Sequence, residues 1–438
     1  MAVAVTAPTS FLGTPATAPG PLGPEMMRSI VAIRSDPLGF LGHMRDRYGD
    51  VVQFPIPRPP TYLVAGMPGV QQVLVQRPGG YDKGTIQYRS LALVTGEGLL
   101  VAQDQQWRQQ RPVVQPAFHH SFLPDVAHVV REESQVLAER WSLAGDGAVV
   151  DIESAMMDLT LRVVGRTLFG DDLRGSTAAL ADATLAALAV VIKRSRVPVA
   201  FPQSWPTPAN RRLAGALREL DGAVDRLVAL RADRPAGSRM LIDLLLDQPG
   251  WTATQVRDQV VTFLVAGHET AASALTWALY LLATHPAEQE LLAATPETDI
   301  ARAVAEETLR LYPPAWVISR SATRPDVIGG HDIPSGALVI TSPYLIHRDP
   351  RYWPDPEVFR PERFRDRLTT TQRLAYLPFG MGPRLCIGRD FARWEMVEVL
   401  ATLAPRFRFA DVGQTPTLLP SVTLRPAQGM MLRISARR

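Results

Sequence analysis

One uninterrupted helical signal, from about Thr252 to Thr284, limits the folds open to this chain. Apolar residues at helical spacing fill 260–265 and 271–282 on either side of its middle. Thr252, followed three residues later by Gln255, makes a capping box, and His285-Pro286 supplies a stop. Roughly 33 residues at about 1.5 Å each predict a rod of about 50 Å, enough to cross a whole domain. The middle of that rod, Ala266-Gly267-His268-Glu269-Thr270, puts a glycine, an acid and a hydroxyl where a buried helix wants none of them. Two readings stand. Either two helices cross here and need a small residue, with Glu269 paired, or a groove opens over a cofactor, because Ala266, Gly267 and Thr270 share one face.

The remaining pattern is predominantly helical with short strands at the edges. Residues 1–30 read as a flexible arm, since the first 24 carry no charge and hold Pro8, Pro15, Pro19, Pro21 and Pro24. A helix is expected over 37–48, strands over 51–54 and 62–64 around a proline-rich turn, and a short helix over 68–76. From Trp107 to about Pro286 the spacing is helical almost throughout, broken by a loop at 198–208 that carries four prolines. After Pro313 come short strands and coil (327–333, 338–340, 348–364), and strands again over 406–409 and 432–434. No repeat or low-complexity linker divides the chain. The expected fold class is mainly α with small β-sheets (α+β), as one domain over 31–438.

With 46% hydrophobic residues the chain can build an ample core, and a net charge of +3 gives no reason to expect nucleic-acid binding. The arm lacks a basic start and a long apolar run, so neither a signal peptide nor a membrane span is expected. A single cysteine, Cys386, excludes an internal disulfide, a four-cysteine zinc site and a cysteine-ligated iron–sulfur cluster. A reducing, cytoplasmic setting is expected. Cys386 lies in Phe379-Gly380-Met381-Gly382-Pro383-Arg384-Leu385-Cys386-Ile387-Gly388, ahead of a helix-compatible run over 391–403. The glycines allow a tight turn that brings amides towards the sulfur, and a helix start would lower the thiol pKa. A thiolate so placed is a metal ligand, a nucleophile or a redox switch.

Other signals fail or are mute alone. His268-Glu269 lacks the second histidine of a zinc protease, because position 272 is Ala272. Gly380-Met381-Gly382 lacks the strand–helix frame of a dinucleotide loop, and Leu385 stands at its third glycine position. Glu307 and Arg310, three apart on a helix, read alone as a surface salt bridge. Trp107 and Arg111 are an unremarkable pair, and Pro361-Glu362-Arg363-Phe364 reads as coil.

Taken together and in order, these stretches resemble the cytochrome P-450 family, the heme-thiolate monooxygenases, in its soluble bacterial form. The resemblance covers nearly the whole chain after the arm and implies the cytochrome P-450 fold, with its long central helix over heme b (iron protoporphyrin IX). It implies Cys386 as the iron ligand, with Phe379, Gly380 and Gly388 in the loop around it. Trp107, Arg111, Arg320 and Arg384 would meet the propionates, whose charge is costly to bury unpaired. Glu307, Arg310 and Arg363 match the structural triad, and Ala266 to Thr270 match the oxygen-activating groove. Thr270 and Glu269 are then the catalytic pair that supplies protons, while the thiolate favours O–O cleavage. One departure is Ala271, where a second hydroxyl is usual.

O2 is the implied co-substrate. The short stretch after Gly388 leaves no room for a flavin reductase, so electrons from NAD(P)H are expected through a ferredoxin and a ferredoxin reductase, with Arg389 and Arg393 as a basic docking patch. The expected pocket is lined by Ile86, Tyr88, Leu91, Phe263, Trp316, Val317, Ile318 and Val422, with Ala266 and Ser421 beside them. Its apolar character suits a lipophilic small molecule of terpenoid, polyketide or fatty acyl type. The 198–208 region is expected to act as an access lid. A monomer is expected, and a peroxide-driven enzyme on the same heme, or a non-catalytic heme protein, are the alternatives.

Overall fold

The capping box at Thr252 forms as its residues require. The Gln255 amide donates to the Thr252 hydroxyl (3.3 Å), and Gln255 Oε1 accepts from the Thr252 amide (2.9 Å). The helix then runs Ala253–Thr284, and Pro286 opens the next one, Pro286–Ala294. This computed structural model describes residues 16–437 except 22, 56–58, 78, 172, 174–176, 196–204, 231–239 and 296–297. The chain divides into two compact units, a division absent from the expectation of one domain over 31–438. The first comprises Met1–Thr85, Ala315–Val358 and Leu368–Cys386; the second comprises Ile86–Pro314, Phe359–Arg367 and Ile387–Arg438.

The first unit is built on a five-stranded sheet in the order Val51–Phe54, Thr61–Val64, Leu338–Thr341, Ile318–Ala322, Tyr81–Asp82. Among the described residues of this sheet, only Thr61–Val64 and Leu338–Thr341 pair in parallel. Both first strands are buried along their whole length, which is why they read as apolar runs rather than alternating patterns. Tyr62, Val64, Val70, Leu74, Ile318, Val339 and Leu377 belong to the core beneath them. The strand expected over 327–333 is a hairpin instead, Asp326–Ile328 with His331–Ile333, because Gly329 and Gly330 take φ of 56° and 83° and turn the chain. The arm also needs correction. Thr17 donates its amide to Gln53 Oε1 (2.7 Å), its hydroxyl sits 2.8 Å from that of Tyr62, and Gly23–Ser35 is a helix. Residues 1–15 of the expected arm lie outside the described residues.

The second unit is helical around the Ala253–Thr284 rod, whose largest interface is with Ile152–Val164. The two helices come close at one point. A Cβ built on Gly267 would stand 2.9 Å from Val164 Cγ2, and Thr160 Oγ1 donates to the His268 carbonyl (3.0 Å). The crossing reading therefore holds for Gly267. A three-stranded antiparallel sheet, in the order Ala148–Asp151, Met431–Ala436, Phe407–Asp411, closes one side of the unit. Its first strand interrupts the stretch expected to be helical. A hairpin, Leu418–Pro420 with Leu424–Pro426, completes the set; its three-residue strands are too short to show periodicity.

Candidate active site

The loop around the cysteine closes on itself. Gly380 and Gly382 take φ of 73° and 72°, conformations that cost other residues strain. A Cβ on Gly382 would run into the Leu74 carbonyl, so the backbone there is pressed against its neighbour. The Cys386 amide donates to the Phe379 carbonyl and the Leu385 amide to Gly382, both at 3.0 Å. Those two amides are therefore spent inside the loop instead of facing the sulfur, as the sequence suggested. The loop is also tied at its root, where the Leu377 amide donates to Nε2 of the buried His347 (3.0 Å). Cys386 is exposed. The following helix is Arg389–Leu403 with Gly388 as N-cap, so Cys386 precedes the helix instead of opening it.

Within the same unit, Ile318 borders the loop, its Cδ1 standing 3.8 Å from where a Cβ on Gly380 would be. Trp316 is buried and its carbonyl accepts from Ser342 Oγ (2.7 Å); Val317 is half-buried. Arg320 lies buried in the Ile318–Ala322 strand and donates to the Ser319 carbonyl (2.9 Å). Phe379 and Arg384 are half-buried.

In the second unit, the central helix is buried from Asp258 to Leu279 at every position but Ala266, Gly267 and Thr270. Thr270 Oγ1 donates to the Ala266 carbonyl (2.8 Å). Glu269, by contrast, points into the protein, and its Oε1 accepts from Thr423 Oγ1 (2.8 Å). Burial pushes the Glu269 carboxyl up to about 7, against the pull of the Thr423 hydroxyl and the Arg425 charge, with Glu153 adding to the rise. A carboxyl poised there can both hold and release a proton near neutrality. Its neighbour His268 is fully buried, turns Nδ1 to the Leu264 carbonyl and is held neutral, burial pushing it down to about 4.

Glu307, Arg310 and Arg363 meet below the surface. Arg310 donates through Nε (2.7 Å) and Nη2 (2.8 Å) to the two Glu307 oxygens. Arg363 Nε lies 3.3 Å from Glu307 Oε1, which also accepts from the Arg360 amide (2.9 Å). The side chains of Glu307 and Arg310 are 0% exposed, and that of Arg363 is 6% exposed. Arg363 sits on a short helix, Glu362–Arg365, where coil was expected. Trp107 and Arg111 are half-buried on the helix Asp104–Val114, one turn apart.

Ile86, Tyr88 and Leu91 lie on one helix, Ile86–Thr95, and Phe263 stacks on Phe118 at 5.3 Å. Val422 and Ser421 are half-buried at the tip of the 418–426 hairpin. Phe118 was not singled out from the sequence, nor was Arg257, a residue of the central helix that reaches Asp221 Oδ1 (2.8 Å) and the Val94 carbonyl (3.0 Å). It thereby ties Ile86–Thr95 and Pro208–Ala229 to that helix. Of the expected lid over 198–208, residues 198–204 lie outside the described residues. The expected basic patch is also revised. Arg389 pairs with Asp390 (2.8 Å) and Arg393 with Glu306 (2.7 Å), so neither presents unbalanced charge.

Against known proteins, the family model described as Cytochrome P450 matches residues 18–433. The chain belongs to the cytochrome P450 family. It is 33% identical over 432 residues to a cyclooctat-9-en-7-ol 5-monooxygenase of Streptomyces melanosporofaciens, covering 93% of this chain and 92% of that one. It is 30% identical over 428 residues to a pentalenene oxygenase of Streptomyces avermitilis, covering 92% and 93%. Among solved structures, CYP175A1 from Thermus thermophilus is similar with a TM-score of 0.81 and 33% identity, over 95% of this chain and all of the other. The P450 fold, mainly helical with small sheets, and membership among P450 monooxygenases follow.

A P450 works with heme and O2. The donors present suit that group. The chain's one thiol is exposed on a loop that its glycines hold in a fixed turn. Between Asp258 and Leu279 the central helix stays incompletely buried at Ala266, Gly267 and Thr270, and the half-buried Arg111 and Arg384 and the buried Arg320 are cationic donors. Among the described residues no helix is long and apolar enough to cross a membrane.

Proposed function

We propose that this P450 oxygenates a lipophilic small molecule of terpenoid type, with Thr270 and Glu269 delivering protons on a heme held by Cys386. The observation that carries the reading is the contrast on the central helix, where between Asp258 and Leu279 only Ala266, Gly267 and Thr270 escape burial and the adjacent Glu269 is a buried acid poised near neutrality. When bound, the thiolate-ligated heme supplies the oxidising power. Cys386 anchors it, Arg111, Arg320 and Arg384 balance its propionates with Trp107 beside them, and Phe379, Gly380 and Gly388 shape the loop. The Glu307–Arg310–Arg363 triad pins the second unit's helices.

Ile86, Tyr88, Leu91, Phe263, Trp316, Val317, Ile318 and Val422 would line the substrate space, which calls for an apolar guest. Of the lipophilic classes, the terpenoid is favoured because two Streptomyces relatives are named for cyclooctat-9-en-7-ol and pentalenene. Electrons would come from NAD(P)H through a ferredoxin and its reductase in the cytoplasm. With Arg389 and Arg393 already paired, docking would depend on surface fit more than on free charge.

The test is a panel of terpene hydrocarbons and alcohols scored by substrate-induced shifts of the heme absorption, followed by turnover of the hits. Product is expected with NAD(P)H, ferredoxin and reductase; product with peroxide alone would make the protein a peroxygenase. Cys386→Ser is expected to lose the ferrous-CO band of thiolate heme, and its retention would overturn the ligand assignment.

A further inference from the structure

Glu269, Ser273 and Trp277 stand at i, i+4 and i+8 on the central helix, one above another. All three reach the same two residues of the 418–426 hairpin. Glu269 Oε1 accepts from Thr423 Oγ1 (2.8 Å), while Ser273 Oγ (2.7 Å) and Trp277 Nε1 (2.9 Å) both donate to the Leu424 carbonyl. The Leu424 amide donates to the Pro314 carbonyl (3.1 Å), and Arg425 grips Glu153 Oε1 through Nε and Nη2, both at 2.8 Å. Residues 423–425 are thus fastened to the helical frame immediately after the tip, Ser421-Val422. That tip is the part of the hairpin assigned to the substrate pocket.

We propose that Thr423 is a positioning residue for the proton-delivering carboxyl. Its hydroxyl fixes which way Glu269 faces and how firmly its proton is held, so that the strand bearing the pocket's tip also tunes proton delivery. This rests on the role given to Glu269 under Proposed function. The charged and titratable groups around that carboxyl are Arg425 from the hairpin, Glu153 from Ile152–Val164, and the neutral His268 beside it. Arg425 and Glu153 act on it through their charge alone, whereas Thr423 donates a hydrogen bond to it. An O–H donated to a carboxylate favours its ionised form, so removing the donor makes the carboxyl hold its proton more tightly.

The experiment follows the protonated-carboxyl band of the holoenzyme by infrared difference spectroscopy along a pH titration, with Glu269→Gln identifying the band. Thr423→Val is expected to move its midpoint up by about one pH unit. Thr423→Ser, which keeps the hydroxyl, is expected to return it to the wild-type midpoint, and Thr423→Ala replaces the valine variant if that one does not fold. In parallel, the fraction of electrons lost as peroxide is expected to rise in the valine variant and recover in the serine variant. An unmoved midpoint in Thr423→Val, or a serine variant that behaves like valine, overturns the proposal. A midpoint that moves as stated in an enzyme without electron-supported turnover strikes the monooxygenase role of Glu269 and leaves the positioning intact. Normal turnover with an unmoved midpoint strikes the positioning alone.

Discussion

Glu307 and Glu269 are both buried glutamates on helices of the same unit, yet they are equipped for opposite work. Glu307 is met by a bidentate Arg310, by Arg363 and by the Arg360 amide, so its charge is balanced where it sits. Glu269 has the Thr423 hydroxyl, with Arg425 acting at longer range and already clamped to Glu153. Burial then pushes its carboxyl to about 7. A third case lies on the helix Arg389–Leu403. Glu395 is 0% exposed, neither oxygen has a hydrogen-bond partner among the described residues, and burial pushes it well above the carboxylate range. Equal depth thus goes with three different settings: guanidinium groups in contact at Glu307, a hydroxyl at Glu269, and no hydrogen-bond partner at Glu395 among the described residues.

The contrast breaks most visibly at its strong end. Arg310→Ala is expected to cost about 3–5 kcal/mol in chemical denaturation, because it leaves Glu307 buried with one fewer guanidinium. A cost under about 1 kcal/mol would mean that the triad is dispensable.

At the other end the test is pH. The folded-state pKa of Glu269 is raised, so between about 4.5 and 7 the folded protein keeps a proton that the unfolded chain has released. Stability from this group is full below that window and is lost as pH rises through it, by about 3 kcal/mol in all. Glu269→Gln has no proton to lose. Its stability relative to wild type is expected to improve from pH 4 to pH 8 by about that amount, read from denaturant midpoints along a pH series.

The smallest effect sharpens the frame that carries Glu269. Gly267→Ala brings a methyl group to 2.9 Å from Val164 Cγ2. Overpacking of about 1–3 kcal/mol is partly offset by about 1 kcal/mol of helix propensity, leaving a net loss of about 1 kcal/mol. Val164→Ala in the same chain is expected to recover it. A Gly267→Ala loss that persists with Val164→Ala would place the glycine's role away from the crossing.

The rod was legible because its signals are local. A capping box, a proline stop and a long apolar period all lie within the segment they define. The cysteine loop was legible for the same reason, through glycines whose left-handed φ the turn demands. The Glu307 triad emerged only by resemblance, since Arg363 stands far along the chain and its own stretch read as coil. Thr423 gave no signal at all. It is 154 residues from the carboxyl it holds, and a lone threonine in a short hairpin has no pattern. Likewise the pairing of Arg393 with Glu306 crosses 87 residues, which is why Arg393 looked like part of an open patch. The short strand Ala148–Asp151 went unseen because its partner lies near the end of the chain.

The Leu424 carbonyl, with both its lone pairs taken by Ser273 and Trp277, sets a boundary inside one hairpin. Beyond it stand Ser421 and Val422, the residues proposed to border the substrate; behind it, Thr423 and Leu424 are bonded to the helix itself. On that pocket assignment, selectivity is rewritten over a few residues at the tip, while the base of the same hairpin stays out of bounds to redesign.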